Sequence, residues 1–588
     1  MAAALPGGDP LATALAAGET PDPEMVANAG EVGGLRPAVA IPCFLAVVLG
    51  LIGVAMLNDV IRPYRKAPLP QPPEALAFRA AEVLKNLGYD NPQADHAYGF
   101  DYDNAYINYV KKEDDSPQRW DRLASNRPPA IYFWYRRSPA PLVPPPSFSQ
   151  VTQQQPPPTQ PGMAGVKLDP NGRLVELAIV PTHRANETKE APESTDWATL
   201  FAEAQLDMAS FKSVEPEWIP SVHCDGRAAW EGHFPEQPDT PIRIEAGSYG
   251  NKPTFFKIIG PWVPTSGDSR SNESSVTFAS YAFVLIIYCV LLTSIAFARN
   301  NWKLRRGDRQ GAFRASLAFL LLGVLSWIVG ALHVTHPWEQ LFRQHVHVGR
   351  FLYFACVLWL LYMAFEPYVR RRWPHSLISW TRLLMGRLRD PLVGRDILLG
   401  MLVGVGMGLV SRLKYIAPTW FGALPGFQES FDLSTLAMGS SLASAVIYPW
   451  FLFVSFWHLF ILFALRVLLR KQWLAICVYI ICLTPLFSSS FIRQDFSTIP
   501  WSFVVLQAVW LATIALTVLR LGLLALTVAF MVTLRCAELP ITADFSTWYA
   551  SGSLIIIIMM VAIAAYGCHT ALAGRSLFKD DLDGAASI

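Results

Sequence analysis

Charged residues are scarce in this chain of 588 residues, at 16% of the total, whereas hydrophobic residues reach 52%. The mean hydropathy of +0.29 is typical of a membrane protein, and the length allows one soluble domain beside a helical bundle. A formal net charge of +2 says little about partners. Because the sequence contains no nucleic-acid-binding motif, we predict no nucleic-acid partner.

Cysteine is almost missing from the long polar region 60–275, where Cys224 stands alone. This region therefore cannot hold an internal disulfide. The other seven cysteines lie in or beside apolar runs, where cysteine usually acts as a small hydrophobic residue. Because no CxxC spacing occurs, we expect neither a zinc site nor a thiol redox pair.

Motifs for phosphoryl transfer are missing as well. A kinase needs a glycine-rich loop, a strand lysine, an HRD-type catalytic loop and a DFG-type metal ligand, and the sequence contains none of them. The diglycine within Pro6–Pro10 has no strand before it and is not a phosphate-binding loop. We therefore predict no catalytic residue, no cofactor and no kinase activity for this chain alone.

The segment 366–396 holds the positive charge that the apolar runs on either side lack. Short loops rich in Lys and Arg stay on the cytoplasmic side of a membrane, so we predict a basic cytoplasmic loop here. The apolar arc of Leu377, Trp380 and Leu384 predicts an amphipathic helix on the inner leaflet, with an irregular solvated loop as the alternative. The arginines predicted to fix the topology are Arg370, Arg371, Arg372, Arg382 and Arg389, and Arg387 and Arg395 accompany them.

About ten apolar runs are candidates for membrane spans. The first, 38–57, follows a cytoplasmic linker 1–37 and runs outward. The other nine form a membrane bundle within 277–575: Thr277–Phe297, Ala315–Val334, Phe351–Phe365, Ile397–Val410, Leu442–Leu469, Leu474–Phe491, Phe503–Leu519, Leu521–Leu534 and Ser553–Leu572. This order places both termini, including a tail 576–588, in the cytoplasm.

The run Ile397–Val410 is short and rich in glycine, which leaves two interpretations. The glycines permit close helix packing, or they mark a broken helix that lines a ligand site. Arg412 and Lys414 follow this run and fall on the outer side, against the charge rule.

Between the first two spans, residues 60–275 predict an extracytoplasmic α+β domain. A helix is expected over Leu76–Leu87, a buried strand over Ala130–Tyr135, and hairpins around Pro170–Gly172 and Gly250–Asn251. Helix followed by strands recurs in two segments, which leaves open a duplicated unit. The two halves would be 63–138 and 162–265, joined by the proline- and glutamine-rich tract 139–161.

Histidines supply the polar candidates of the bundle. Four of them lie near the outer end of two spans: His333, His336, His345 and His347. They could bind a divalent metal or sense acidic pH. The simpler explanation is that they are interfacial histidines on an exposed loop. His458 lies in mid-span, where ionisable groups are costly and often functional. A neutral histidine bonded to neighbouring backbone is the alternative.

Five stretches of the chain resemble a known family: Ala4–Val26, Tyr132–Pro144, Asp225–Trp262, the basic segment 366–396, and Trp548–Leu554 with Tyr566–Phe578. They are similar to the non-catalytic membrane and sensor region of bacterial receptor-type serine/threonine protein kinases of the acidobacterial kind. In that family the linker follows a cytoplasmic kinase domain, which this chain lacks. The resemblance implies a bacterial inner membrane and a kinase partner, with Met1 marking a split gene, a truncated gene or a freestanding regulator.

The leading hypothesis is therefore the sensor and regulatory part of a serine/threonine protein kinase signalling system. Its partners would be the lipid bilayer, an unknown extracytoplasmic ligand, and a cytoplasmic kinase domain or kinase. A polytopic transporter or channel with an extracytoplasmic accessory domain is the alternative. An intramembrane enzyme is a third hypothesis, with His458 as its one candidate residue.

Overall fold

The computed structural model describes most of the chain. His336, the predicted tail 576–588 and the start of the predicted linker lie outside the described residues, which are Leu11, Ala14, Ala16, 20–29, 34–90, 94–146, 148, 150–182, 195–263, 273–334, 337–426, 433–437, 439–492 and 499–573.

The described chain forms a helical bundle and a sheet domain, which we call the β domain. The helices before the β domain are α1 (Pro23–Asn28), α2 (Pro37–Ile61) and α3 (Pro63–Lys66). The β domain contains α4 (Pro73–Asn86), β1 (Asp95–Tyr102), α5 (Asn104–Glu113), β2 (Ile131–Ser138), β3 (Ala164–Leu168), β4 (Leu174–Ile179), α6 (Ala198–Glu203), β5 (Lys212–Val214), β6 (Gly226–Phe234), β7 (Gln237–Tyr249) and β8 (Lys252–Ile259).

The chain then returns to the bundle. Its remaining helices are α7 (Glu273–Lys303), α8 (Arg309–Gly330), α9 (Pro337–Arg372), α10 (Ile378–Leu384), α11 (Pro391–Trp420), α12 (Ser434–Ala437), α13 (Gly439–Ile447), α14 (Trp450–Leu469), α15 (Gln472–Ile492), α16 (Trp501–Arg520), α17 (Leu523–Glu538) and α18 (Ala550–Ala571).

Seven helical segments of the described chain are long and apolar enough to cross a membrane: α2, α8, α9, α11, α13 with α14, α16 and α18. The other predicted runs are helical too. They lie in α7, in α15, whose part Gln472–Pro485 is a shorter apolar helix, and in α17, which has 16 residues. The chain is therefore a multi-pass helical membrane protein with a β domain.

Helix α11 is packed closely by four others, α2, α16, α17 and α18. Glycine makes this approach possible. A Cβ added at Gly400 would lie 2.6 Å from the carbonyl oxygen of Ala525, and one added at Gly404 would lie 2.7 Å from that of Ala529. The helix runs unbroken through these glycines, so they serve close packing, and the broken-helix interpretation is wrong.

Arg412 and Lys414 follow the predicted span Ile397–Val410 but still lie within a helix. Helix α11 continues past both residues to Trp420, and both side chains are buried. The helix is therefore longer than the predicted span. Buried polar acceptors, described below, replace the water that a loop would have offered.

The β domain is built on one eight-stranded antiparallel sheet in the order β1-β2-β3-β4-β8-β7-β6-β5. This order consists of two four-stranded meanders, β1–β4 and β5–β8, joined where Leu177 on β4 lies opposite Phe256 on β8. Helix α4 precedes the first meander and α6 precedes the second. Because the last strands of the two meanders pair antiparallel, a local two-fold relation connects them.

The chain divides between meanders at residues 180–197, and not at the tract 139–161 as the predicted halves 63–138 and 162–265 require. That tract connects β2 to β3 inside the first meander. It is held there by a small core of its own, in which Leu142 and Val151 pack with Trp134 and Met163. A long connection within a hairpin is stable here because it covers one face of the sheet.

The main core of the β domain lies on the other face of the sheet. Strand residues such as Phe133, Leu177 and Phe256 are buried there against α4 and α6. Helix α4 confirms the helical pattern predicted for Leu76–Leu87, and its buried positions recur at helix spacing. Alternation along each strand thus directs one set of side chains to the helices and leaves the other set for the opposite face.

The packing of α11 makes a testable prediction. Gly404→Ala places a methyl group against the backbone of α17, whereas Gly406→Ala meets no atom within 4 Å. Overpacking costs about 1–3 kcal/mol, so we expect Gly404→Ala to lower the free energy of unfolding in detergent. The matched variant Gly406→Ala gains helix propensity without that clash, and equal stability of the two variants would contradict the packing described.

Candidate functional site

A cavity of about 220 Å³ lies in the β domain where the two meanders meet. It opens at the ends of β4 and β8, beside the hairpin that joins β3 to β4. Its aromatic and apolar walls are formed by Tyr102, Tyr132, Leu174, Phe234, Ile258 and Trp262. Ligand sites combine such walls with a few polar groups, and this volume suits a small ligand.

Charged side chains alternate across the strands beside this cavity. Lys167 on β3 lies opposite Glu176 on β4, which in turn lies opposite Lys257 on β8. The Nζ atom of Lys167 is 2.9 Å from Glu176 Oε2, and that of Lys257 is 4.0 Å from the same oxygen. Glu176 therefore lies between two ammonium groups, and Asp103, which also lines the cavity, interacts with Lys167 as well.

The opposite side of the cavity is charge-balanced. Arg173 pairs with Asp169 across the hairpin, and its Nη1 lies 3.5 Å from Glu236 Oε1. Arg127 Nη1 lies 3.4 Å from the same oxygen. These arginines are held by partners of their own, and Lys167 is held by Glu176, so Lys257 is the more accessible lysine of the cavity.

Burial also changes how readily the acids of the cavity ionise. It raises the pKa of Asp169, against the opposing effect of Arg173. It raises the pKa of Asp103 too, although Asp103 accepts a hydrogen bond of 3.0 Å from the backbone N–H of Tyr106 at the start of α5. The pKa of the Tyr132 phenol is raised by burial as well.

The β domain is fastened to one end of the bundle, which we call the domain end. Arg119 and Trp120 both donate to the carbonyl of Pro425, which follows α11, at 2.7 and 2.6 Å. Trp548, just before α18, donates to the carbonyl of Leu69 at 3.0 Å and stacks on Phe100 of β1.

Further contacts join the two parts at the domain end. Arg65 lies 2.8 Å from Asp544 Oδ2. The tract between β2 and β3 is held by Arg343 of α9, which donates to the carbonyls of Pro144 and Phe148 at 2.8 and 3.0 Å. The β domain therefore contacts the bundle through several segments that are far apart in sequence.

Buried arginines lock the helices at the domain end. Arg62, directly after α2, donates to the carbonyl of Ala537 at 2.8 Å and to that of Cys536 at 3.2 Å. Arg412 of α11 donates to the same Cys536 carbonyl and, through Nε, to Asn58 Oδ1 at 3.0 Å. These carbonyls end α17, where the helix dipole is negative and favours cations.

Lys414 lies two residues further along α11. It donates to Gln507 Oε1 of α16 at 2.7 Å, and its ammonium group lies 5.4 Å from the centre of the Phe503 ring. Neutral acceptors thus bind Arg412 and Lys414, and aromatic rings lie near Lys414.

The opposite end of the bundle, the basic end, holds the segment 366–396. Among the predicted topology residues, Arg370 is buried in an ion pair with Glu366 at 3.2 Å, whereas Arg371, Arg372 and Arg389 are exposed. The structure does not test their part in topology, which stays a prediction.

Helix α10 differs from the predicted surface helix. It is only seven residues long, and both Trp380 and Arg382 are buried in it. It packs against α1, α8, α11 and α17, so it is part of the bundle at the basic end. Its arginine can be buried because it meets an acid and two carbonyls.

Arg382 connects the bundle to the N-terminal segment. Its Nη1 lies 2.9 Å from Asp390 Oδ1, its Nε donates to the carbonyl of Ala27 at 2.7 Å, and its Nη2 donates to that of Ala29 at 3.0 Å. Arg387 donates to Asn28 Oδ1 at 3.0 Å. Part of the predicted linker is thus the helix α1, docked on the basic segment.

Two of the histidines predicted as weak metal ligands, His333 and His347, contact the same ring, that of Trp327. His333 and His345 each bond to a carbonyl of their own chain segment, at 2.8 Å in both cases. His347 is buried and stacks on Trp327. The described residues contain no group of three or more His, Cys, Asp or Glu side chains placed to hold a metal ion.

His458 is buried in α14 between two aromatic side chains. Its Nδ1 lies 2.7 Å from the hydroxyl of Tyr479 on α15, and its ring stacks on Phe530 of α17 at 5.2 Å between centroids. The hydrogen bond to the tyrosine hydroxyl joins α14 to α15. This arrangement fixes three helices to one another.

Sequence reasoning missed the cavity and the docking of α1. Lys167, Glu176 and Lys257 come from three strands whose pairing no local pattern reveals. The polar face that alternation assigns to β3 and β4 is the signal that could have indicated them.

The contact of α1 with the basic segment can be tested by amide hydrogen exchange. Arg382→Gln removes a charged donor to two carbonyls, an interaction that stabilises by about 1.5–3 kcal/mol. We expect exchange of the amides in Pro23–Asn28 to accelerate about tenfold or more. Arg371→Gln, an exposed arginine of the same segment, is the matched control, and equal exchange in both variants would contradict the contact.

Comparison of the chain with protein-family models, curated proteins and solved structures found no match. The function has therefore to be inferred from the geometry of the chain itself.

Proposed function

We propose that this chain is the sensor and regulatory part of a bacterial membrane signalling system. The β domain binds a small ligand in the cavity between its meanders, outside the cytoplasm. The bundle passes the resulting change to α1 and the basic segment, which face a cytoplasmic partner. A ligand acts in this way only if it binds two states of the protein with different affinity.

One observation carries this proposal: α2, α11 and α18 pack on one another, and each reaches both ends of the bundle. At the domain end, α2 ends beside Arg62, which contacts the end of α17. Pro425 follows α11 and Trp548 precedes α18, and both contact the β domain. At the basic end, Asp390 precedes α11 and binds Arg382. The backbone N–H of Leu35, before α2, donates to the carbonyl of Ala571 in α18 at 2.9 Å.

A displacement of the β domain is therefore transmitted along three packed helices to the segment that holds α1. Backbone contacts at Gly394, Gly400 and Gly404 leave little room for the helices to move independently. Such rigid elements with two arrangements are the physical means by which distant sites are coupled.

The coupling can be tested in the intact chain in lipid nanodiscs. Trp548→Ala removes the contact of the bundle with Leu69 and Phe100, so we expect the amides of Pro23–Asn28 to exchange about fivefold faster or more. The matched control is Trp218→Ala, beside β5 at the far edge of the sheet. Unchanged exchange in Trp548→Ala, or an equal change in both variants, would overturn the proposed coupling.

The proposal includes about ten spans, a bacterial inner membrane and both termini in the cytoplasm. Helices α7, α15 and α17 add three proposed spans to the seven candidates. The exposed arginines at the basic end favour the cytoplasmic side for that end. Three of the cations near the domain end, Arg62, Arg412 and Lys414, are buried and bonded to protein, so these three do not oppose this orientation.

Thiol labelling in intact cells tests the orientation. In a variant whose exposed native cysteines are replaced by serine, we expect a membrane-impermeant maleimide to label Asp239→Cys in the β domain and not Arg371→Cys at the basic end. Both side chains are exposed. After lysis both positions should react, and the reverse pattern in intact cells would overturn the proposed topology.

The identity of the cytoplasmic partner as a serine/threonine kinase is supported by the family resemblance of α1, the basic segment and three other stretches. The DNA directly upstream of Met1 offers a separate check. A kinase-domain reading frame there or in a neighbouring gene supports this partner. Neighbouring genes without a kinase, together with a purified protein that neither binds nor alters one, would exclude it.

A further inference from the structure

The charge around β8 shows an imbalance that the fold alone does not require. Lys257 lies between Glu176 on β4 and Glu245 on β7. Glu176 is closer to Lys167, as described above. Glu245 is 2% exposed, and its Oε1 is bound by Arg243 Nε at 2.7 Å and by the backbone N–H of Glu217 at 3.1 Å. Among the described residues, Lys257 thus has two neighbouring acids that are both engaged by other groups.

The ammonium group of Lys257 remains accessible, because its side chain is 33% exposed and it lines the cavity. Lys167 is held on the other side of Glu176, and its ammonium group lies 4.9 Å from the centre of the Tyr132 ring. Lys167 also interacts with Asp103, so Lys257 is the lysine of this pair that can attract one further negative charge.

The remaining lining restricts what can supply that charge. Asp103, Asp169 and Glu176 also face the cavity and repel a dianion such as a phosphate monoester. The start of α5, where backbone N–H groups could have bound a phosphate, is capped by Asp103 itself. The arginines of the cavity are paired with Asp169 and Glu236 and offer no free fork to a phosphate.

We propose that the cavity binds a small monocarboxylate, with its carboxylate on Lys257 and its apolar body against the aromatic lining of the cavity. The volume of about 220 Å³ limits the ligand to a small organic acid. This assignment deepens the proposed sensory function and rests on it.

Titration calorimetry with the intact chain in nanodiscs tests the ligand class. The probe is phenylacetate, and its neutral isostere phenylacetamide and the cation 2-phenylethylamine are compared with it. We expect phenylacetate to bind and both comparison compounds to bind at least about tenfold more weakly, because a charged contact is lost. Tighter binding of the amine, of the amide or of inorganic phosphate would overturn the assignment, as would no binding of phenylacetate, acetate or 3-methylbutanoate.

Two variants locate the site. Lys257→Gln should raise the Kd for phenylacetate by about tenfold or more. Lys252→Gln changes a lysine at the other end of the same strand, bonded to the carbonyl of Gly88 at 3.2 Å, and should leave the Kd unchanged. Equal effects of the two variants would place the ligand elsewhere.

Hydrogen exchange separates this inference from the proposed function. If phenylacetate binds through Lys257 and the amides of Pro23–Asn28 do not respond, the ligand assignment stands and the sensory function fails. If Trp548→Ala changes their exchange and no carboxylate binds, the coupling stands and the ligand assignment fails.

Discussion

Backbone contact along α11 is the constraint on which the bundle depends. Where Gly400 and Gly404 meet the carbonyls of Ala525 and Ala529, no side chain separates the two helices. Such contacts cannot slide without collision, because protein interiors are close-packed and compress little. Helices α2 and α18 pack on the same helix, so the position of α11 sets the position of the elements around it. The positions of the helix ends at both ends of the bundle therefore depend on α11.

Polar groups in the bundle lie mainly near its two ends, and both ends use carbonyls as well as acids. At the domain end, Arg62 and Arg412 bind carbonyls at the end of α17, and Arg65 pairs with Asp544. At the basic end, Arg382 binds Asp390 together with the carbonyls of Ala27 and Ala29. A buried charge needs a partner or several hydrogen bonds. The contacts of Arg62 and Arg412 hold helices to one another, and those of Arg382 hold a segment from outside the bundle.

The parts of the fold that the sequence predicted well are those set by local pattern. The apolar runs are helices, the period of Leu76–Leu87 is that of α4, and the hairpin turn at Pro170–Gly172 joins β3 to β4, with Gly172 at φ +86° as such a turn requires. The exposed arginines of the basic segment were also recognisable from their number.

The rest depended on contacts distant in sequence. The docking of Pro23–Asn28 could not be predicted, because the carbonyls of Ala27 and Ala29 are bound by Arg382, more than 350 positions away. Arg412 conflicts with the charge rule because that rule does not count carbonyls at the end of another helix. Predicting the cavity would have required knowing that β4 pairs with β8, about 80 residues further along the chain. The same pairing determines where the two meanders divide.

The pairing of β4 with β8 has a consequence for the origin of this domain. Each is the final strand of its own meander, and they meet antiparallel, as two copies of one strand meet across a symmetry axis. A shorter ancestor with a single helix and four strands would have exposed that final strand as an open edge. Two such chains could have closed the edge by forming the same eight-stranded sheet, with a shared cavity at the axis. Fusion of the two genes would then have freed each copy to diverge, leaving Lys257 on one side of the axis and Glu176 on the other.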